Sequence, residues 1–111
     1  MDFDGTLAKT CQWHDFNEGT VGEPIWPMVE RVKGWLREGK GVRIMTARVG
    51  PGADVPLHTK AIEDFCAEHL GQVLPVTCVK DFNMLELWDD KCVQVEVNTG
   101  EPTTYWVSKA A

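Results

Sequence analysis

The chain has 111 residues and a net charge of −6, which suits one domain, residues 1–111, with a small buried core. Hydrophobic residues make up 43%, which argues against disorder, and the acidic balance argues against a nucleic-acid-binding surface. No apolar run approaches the ~18 residues of a membrane span, and the acidic start lacks the basic-then-apolar order of a signal peptide, so a cytoplasmic protein is expected.

The chain opens "MDFDGTLA", with Asp2 and Asp4 flanking one apolar residue and Gly5 and Thr6 directly after. Residues 8–23 are mixed and polar and predict a long loop, with room for a short hairpin. Met28, Val29, Val32, Trp35 and Leu36 recur at helical spacing, with Pro27 in the first turn and Gly39 or Gly41 as the stop. "VRIMTA" predicts a buried strand and "RVGPGADVPLH" a loop. Residues 58–70 predict a second helix with Ala61, Ile62, Phe65, Cys66 and Leu70 inward, ended by Gly71. A strand is expected near 75–79, another in "MLELWDD", and a further one in "CVQVEV" before a turn at Asn98, Thr99 and Gly100. "TTYWVS" reads as a last edge strand or a tail. Cys11, Cys66, Cys78 and Cys92 form no C-x-x-C pair, so reduced thiols buried as small apolar side chains are expected.

Strands alternating with helices imply βαβ units, an α/β fold and a mainly parallel sheet. Ligands bind outside the carboxyl ends of such strands. Asp2 and Asp4, Thr46, Lys80, and Asp89 with Asp90 each lie at or just past a predicted strand end, so they are expected on one rim. Carboxylates so gathered repel one another, and a hard cation relieves them. Oxygen ligands favour Mg²⁺ over zinc. His14, His58 and His69 lack metal-ligand spacing and are expected at the surface. A carboxylate can attack a phosphoryl group, and a second acid two residues on can move protons. Gly5 permits a sharp turn, while Thr6, Thr46 and Lys80 offer hydroxyls and a positive charge to phosphoryl oxygens.

On these residues the chain resembles the haloacid dehalogenase (HAD) superfamily of phosphohydrolases. "DFDGTL" resembles its first motif, "VRIMTAR" the second, Lys80 in "VTCVKD" the third and "LELWDDK" the fourth, in order over residues 1 to about 100. The resemblance implies a Rossmann-like three-layer sandwich with a mainly parallel sheet. It implies Asp2 as nucleophile and Asp4 as general acid/base, with its backbone carbonyl on Mg²⁺. Thr46 and Lys80 would hold the phosphoryl group, with Gly5 and Thr6 beside them. Asp89 would bind Mg²⁺ with Asp90 in support, which makes Asp2, Asp4, Asp89 and Asp90 the metal set. About 20 residues between Thr6 and the first helix, and about 11 between Thr46 and the second, leave no room for a cap domain, so an open site and a broad range of small phosphorylated substrates are expected. Trp13, His14, Phe16 and Trp26 are the candidates for a lid or substrate contacts.

The family places an apolar strand before its first aspartate, where this chain has Met1, so most of the first strand is missing. Each absent apolar side chain forfeits about 1.5–3 kcal/mol of burial. That deficit predicts a homo-oligomer formed by strand exchange or edge pairing, or an Asp2 on a flexible end. It also predicts a terminal amine that could pair with a carboxylate. Mg²⁺-dependent phosphomonoester hydrolysis is the leading expectation. The alternatives are a phosphotransferase and a non-catalytic binding or assembly module that keeps the fold.

Overall fold

Residues 1–103 are described by a computed structural model, in which three helices and one pair of parallel strands make an α/β arrangement. Helix α1 spans Trp13–Asn17, α2 spans Trp26–Arg37 and α3 spans Val55–Leu70. Strands β1, Ile44–Met45, and β2, Val76–Thr77, pair in parallel with Ile44 opposite Val76. A single 3-10 turn, Ala47–Val49, follows β1. No helix among the described residues is long and apolar enough to cross a membrane.

The first residues extend this pair. The Met1 carbonyl accepts from the Met45 N–H at 2.8 Å, and the Met1 amine donates to the Arg43 carbonyl at 3.0 Å. On its other side the Asp2 N–H donates to the Trp88 carbonyl at 2.8 Å. Backbone hydrogen bonds therefore run in the order Trp88, Met1–Asp2, β1, β2. The amine is thus engaged by a carbonyl rather than by a carboxylate.

Alternation along β1 sends Ile44 into the core, where it is fully buried, while Met45 is half-buried and lines a cavity of about 600 Å³ with Met1, Trp35, Thr77 and Trp88. The core joins Phe3 and Leu7 from the opening turn to Val29 and Val32 of α2 and to Ile62, Phe65 and Cys66 of α3. Phe3 meets Phe65 edge-on, with ring centroids 5.0 Å apart.

Both long helices form where their spacing predicts, and the second starts earlier than expected. α2 begins at Trp26, with Pro27 in its first turn, and Gly39 follows its end at φ 78°. α3 begins at Val55 rather than at 58. Asp54 accepts from the Leu57 N–H at 3.2 Å, and Pro56 suits the first turn, so the Gly- and Pro-rich loop ends earlier than its composition suggests. Gly71 closes α3 in the left-handed region.

The loop of residues 8–23 contains α1 and is closed at its base by an antiparallel bridge between Ala8 and Pro24. The strands expected in "MLELWDD" and "CVQVEV" do not form; the first contributes only the Trp88 carbonyl to Asp2. In the second, Val93, Val95 and Val97 are all exposed, so its alternation has no layer to pack against. The chain instead turns at Asn98 and Gly100, with Val95 bridging Pro102. From Thr104 on, "TTYWVS" lies outside the described residues. Of the four thiols only Cys66 is buried; Cys11 is half-buried, and Cys78 and Cys92 are exposed.

Candidate metal centre

The turn after Asp2 is built by sequence. The Phe3 carbonyl accepts from the N–H groups of Thr6, Leu7 and Ala8, while Phe3 and Leu7 are fully buried beneath it. Gly5 sits at φ 85°, and a Cβ there would lie 2.7 Å from Oδ2 of Asp90. The turn therefore needs glycine both for its backbone angle and for the approach of Asp90. It presents the Thr6 hydroxyl to two acids. Its Oγ1 lies 3.2 Å from Asp2 Oδ2 and 3.4 Å from Asp90 Oδ1, and it accepts from the Asp90 N–H at 3.0 Å. With one proton to give, the hydroxyl serves one carboxylate at a time.

Asp2, Asp89 and Asp90 converge here, each offering a carboxylate oxygen within 4.8 Å of the others'. Asp89 is set by the Lys91 N–H, which donates to its Oδ1 at 2.8 Å. Burial pushes the Asp2 carboxyl up to about 6, helped by its hydrogen bond with Asp90 and the charge of Asp89, against the Phe3 N–H and Thr6 hydroxyl that favour the anion.

Asp4 stands apart from this cluster. Its Oδ2 accepts from Arg48 Nε and its Oδ1 from an Arg48 terminal nitrogen, both at 2.8 Å. Thr46 is buried, and its Oγ1 accepts from the Arg48 N–H at 3.2 Å, capping the 3-10 turn. Lys80 is exposed on the rim of the 600 Å³ cavity with Lys40, Arg43 and Asp81. Arg43 and Asp81 form a two-toothed ion pair there, at 2.8 and 3.0 Å. The fold therefore brings Asp2, Thr6, Asp89 and Asp90 together around Gly5, holds Asp4 on an arginine, uses Thr46 as a cap and leaves Lys80 on the rim of the cavity.

Two residues had no role in the sequence reading. Arg48 is fully buried, and His58, expected at the surface, is buried beside it; His14 is exposed and His69 half-buried. Arg48 lies 3.3 Å from His58 Nδ1, donates to the Thr20 carbonyl at 3.0 Å and stacks 4.2 Å from the Phe16 ring centroid. Burial and the neighbouring guanidinium depress the His58 pKa below its ordinary value. Only the place of Arg48, two residues after Thr46 at the end of a buried strand, marks it in the sequence. No family model, curated protein or solved structure matches the chain, so the centre stands on its own geometry.

Proposed function

We propose that this chain is a Mg²⁺-dependent phosphomonoester hydrolase of the HAD type, working from the reducing cytoplasm, with Asp2 as its nucleophile. One observation carries the reading: three carboxylates and a hydroxyl gather where the Trp88 segment meets the opening turn. The order Trp88, Met1–Asp2, β1, β2 supports a Rossmann-like parallel sheet around them.

The donor set fits the cation. Asp2, Asp89 and Asp90 offer hard oxygens alone, which suits Mg²⁺. The raised Asp2 carboxyl marks the charge that a cation would relieve. Asp2, Asp89 and Asp90 would hold it. When bound, it would supply the positive charge that lets a phosphate dianion approach a carboxylate.

A carboxylate oxygen of Asp2 attacks phosphorus, the ester P–O bond breaks, and the leaving oxygen takes a proton from Asp4. Water then attacks the aspartyl-phosphate as Asp4 accepts its proton, which frees phosphate and Asp2. The acid/base role of Asp4 and the phosphoryl-holding roles of Thr46 and Lys80 rest on the resemblance alone. With no cap domain among the described residues, a broad range of small phosphomonoesters is the substrate class.

The test is hydrolysis of an aryl phosphate at neutral pH. Turnover is expected with Mg²⁺ and absent with chelator, and Asp2→Asn should lower kcat by about a thousandfold or more. Asp4→Asn should accumulate phosphoenzyme. A second reading, a non-catalytic binding module that takes the cation without turnover, is favoured by Asp4, which is held on Arg48 outside the acid cluster. Mg²⁺ binding without hydrolysis of any phosphate would establish that reading and overturn the first.

A further inference from the structure

Arg48 is the most completely enclosed charge among the described residues, with none of its side chain exposed, while Asp4 keeps 24% of its own exposed. A guanidinium out of water is costly unless its N–H groups are used. Here two go to Asp4, one to the Thr20 carbonyl and one toward His58 Nδ1, and a terminal nitrogen also lies 3.5 Å from the Cys11 thiol. The Phe16 ring covers one face. These partners come from the opening turn, from the loop around α1 and from α3. A cation fixed on so many sides leaves its ion-pair partner little freedom. The Asp4 carboxylate is therefore held in one orientation while part of it stays exposed, and each oxygen keeps a lone pair beyond its bond to Arg48.

We propose that Arg48 is the positioning residue of the acid/base: it holds Asp4 in one orientation, and the loop of residues 11–20 takes part through Phe16 and Thr20. The inference rests on the hydrolase reading above, because it assigns Asp4 a proton-transfer task. A purely structural ion pair would serve only to staple the loop to α3. The two roles separate because Asp2, Asp89 and Asp90 are the residues that would hold the cation, whereas the hydrogen bonds of Arg48 go to Asp4, Thr20, His58 and Cys11.

The decisive variants are Arg48→Lys, which keeps the charge but cannot supply a two-toothed fork, and Arg48→Ala supplemented with guanidinium ion. Each is compared with the wild type for kcat, KM, phosphoenzyme level, thermal unfolding and Mg²⁺ affinity by calorimetry. In Arg48→Lys, kcat should fall by about a hundredfold, the cost of a misplaced catalytic group. Phosphoenzyme should accumulate and KM should not rise, while Mg²⁺ affinity stays within about twofold of wild type. Added guanidinium should restore part of the kcat of Arg48→Ala.

Wild-type kcat in Arg48→Lys overturns the proposal. So does a loss of kcat that follows the loss of folded protein, with no rescue by guanidinium. Failure of both variants to fold assigns Arg48 to the core alone and overturns it equally. A wild type that binds Mg²⁺ without turnover fails the hydrolase reading itself and takes this inference with it.

Discussion

Gly5 is the residue at which sequence and site meet most directly. A small residue after Asp4 implied a sharp turn, and the turn exists, at φ 85°. Its second duty, leaving room for Asp90, could not be read from the sequence because Asp90 lies 85 positions away. Gly5→Ala should cost about 1–2 kcal/mol from the left-handed backbone alone. Its Cβ would also push Asp90 away, so calorimetry should show weaker Mg²⁺ binding than in wild type. His58 shows the opposite case, a residue whose environment overturned its reading. The sequence put it at the first position of the expected helix, with no partner in view, but α3 starts three residues early and His58 meets Arg48. Its pKa is depressed below the ordinary 6.5 by burial and by Arg48, against the raising effect of Asp54 and Asp4. Below about pH 6.5 the unfolded chain therefore binds a proton at this site that the folded chain resists. Stability is lost as pH falls through that window. Asp2 acts with opposite sign there, since its raised carboxyl favours the folded state on acidification, but it is common to both proteins compared. His58→Gln should thus show a shallower fall in urea midpoint between pH 7 and 5.5 than wild type.

At the scale of elements, the helices were legible because each carries its own instructions. α2 and α3 have apolar residues at helical spacing, prolines in their first turns and glycines past their ends. The cap of α3 is the detail that composition hid, since Asp54 sits inside a stretch dense in Gly and Pro. Asp54→Ala should lower stability by about 1 kcal/mol, read as a shift in urea midpoint at unchanged slope. Strands were less legible, because a strand needs a neighbour as well as a pattern. "VRIMTA" found two, Met1 and β2, and kept the pairing over Ile44–Met45. "CVQVEV" has better alternation and found none, so its valines face outward.

For the molecule as a whole, the alternation of strands and helices pointed to one shared rim, and Asp2, Asp89 and Asp90 do meet. It could not show that Asp4 would be taken up by Arg48 or that Lys80 would line the cavity. The core holding this arrangement is small, and Ile44 stands at its centre, fully buried with residues of both long helices. Ile44→Ala should cost about 2–5 kcal/mol, a large part of the ~5–15 kcal/mol typical of a domain. Thermal unfolding should show it as a drop in Tm, and if the acids bind Mg²⁺ only in the folded state, Mg²⁺ should recover part of the lost stability by mass action. The distribution of the thiols has a practical consequence. Cys92 is exposed and within electrostatic reach of Asp2, Asp89 and Asp90, whereas Cys66 is shielded in the interior. With Cys11 and Cys78 replaced by serine, an environment-sensitive dye attached through Cys92 would sit beside the acids and report cation arrival as a change in emission, without any substrate.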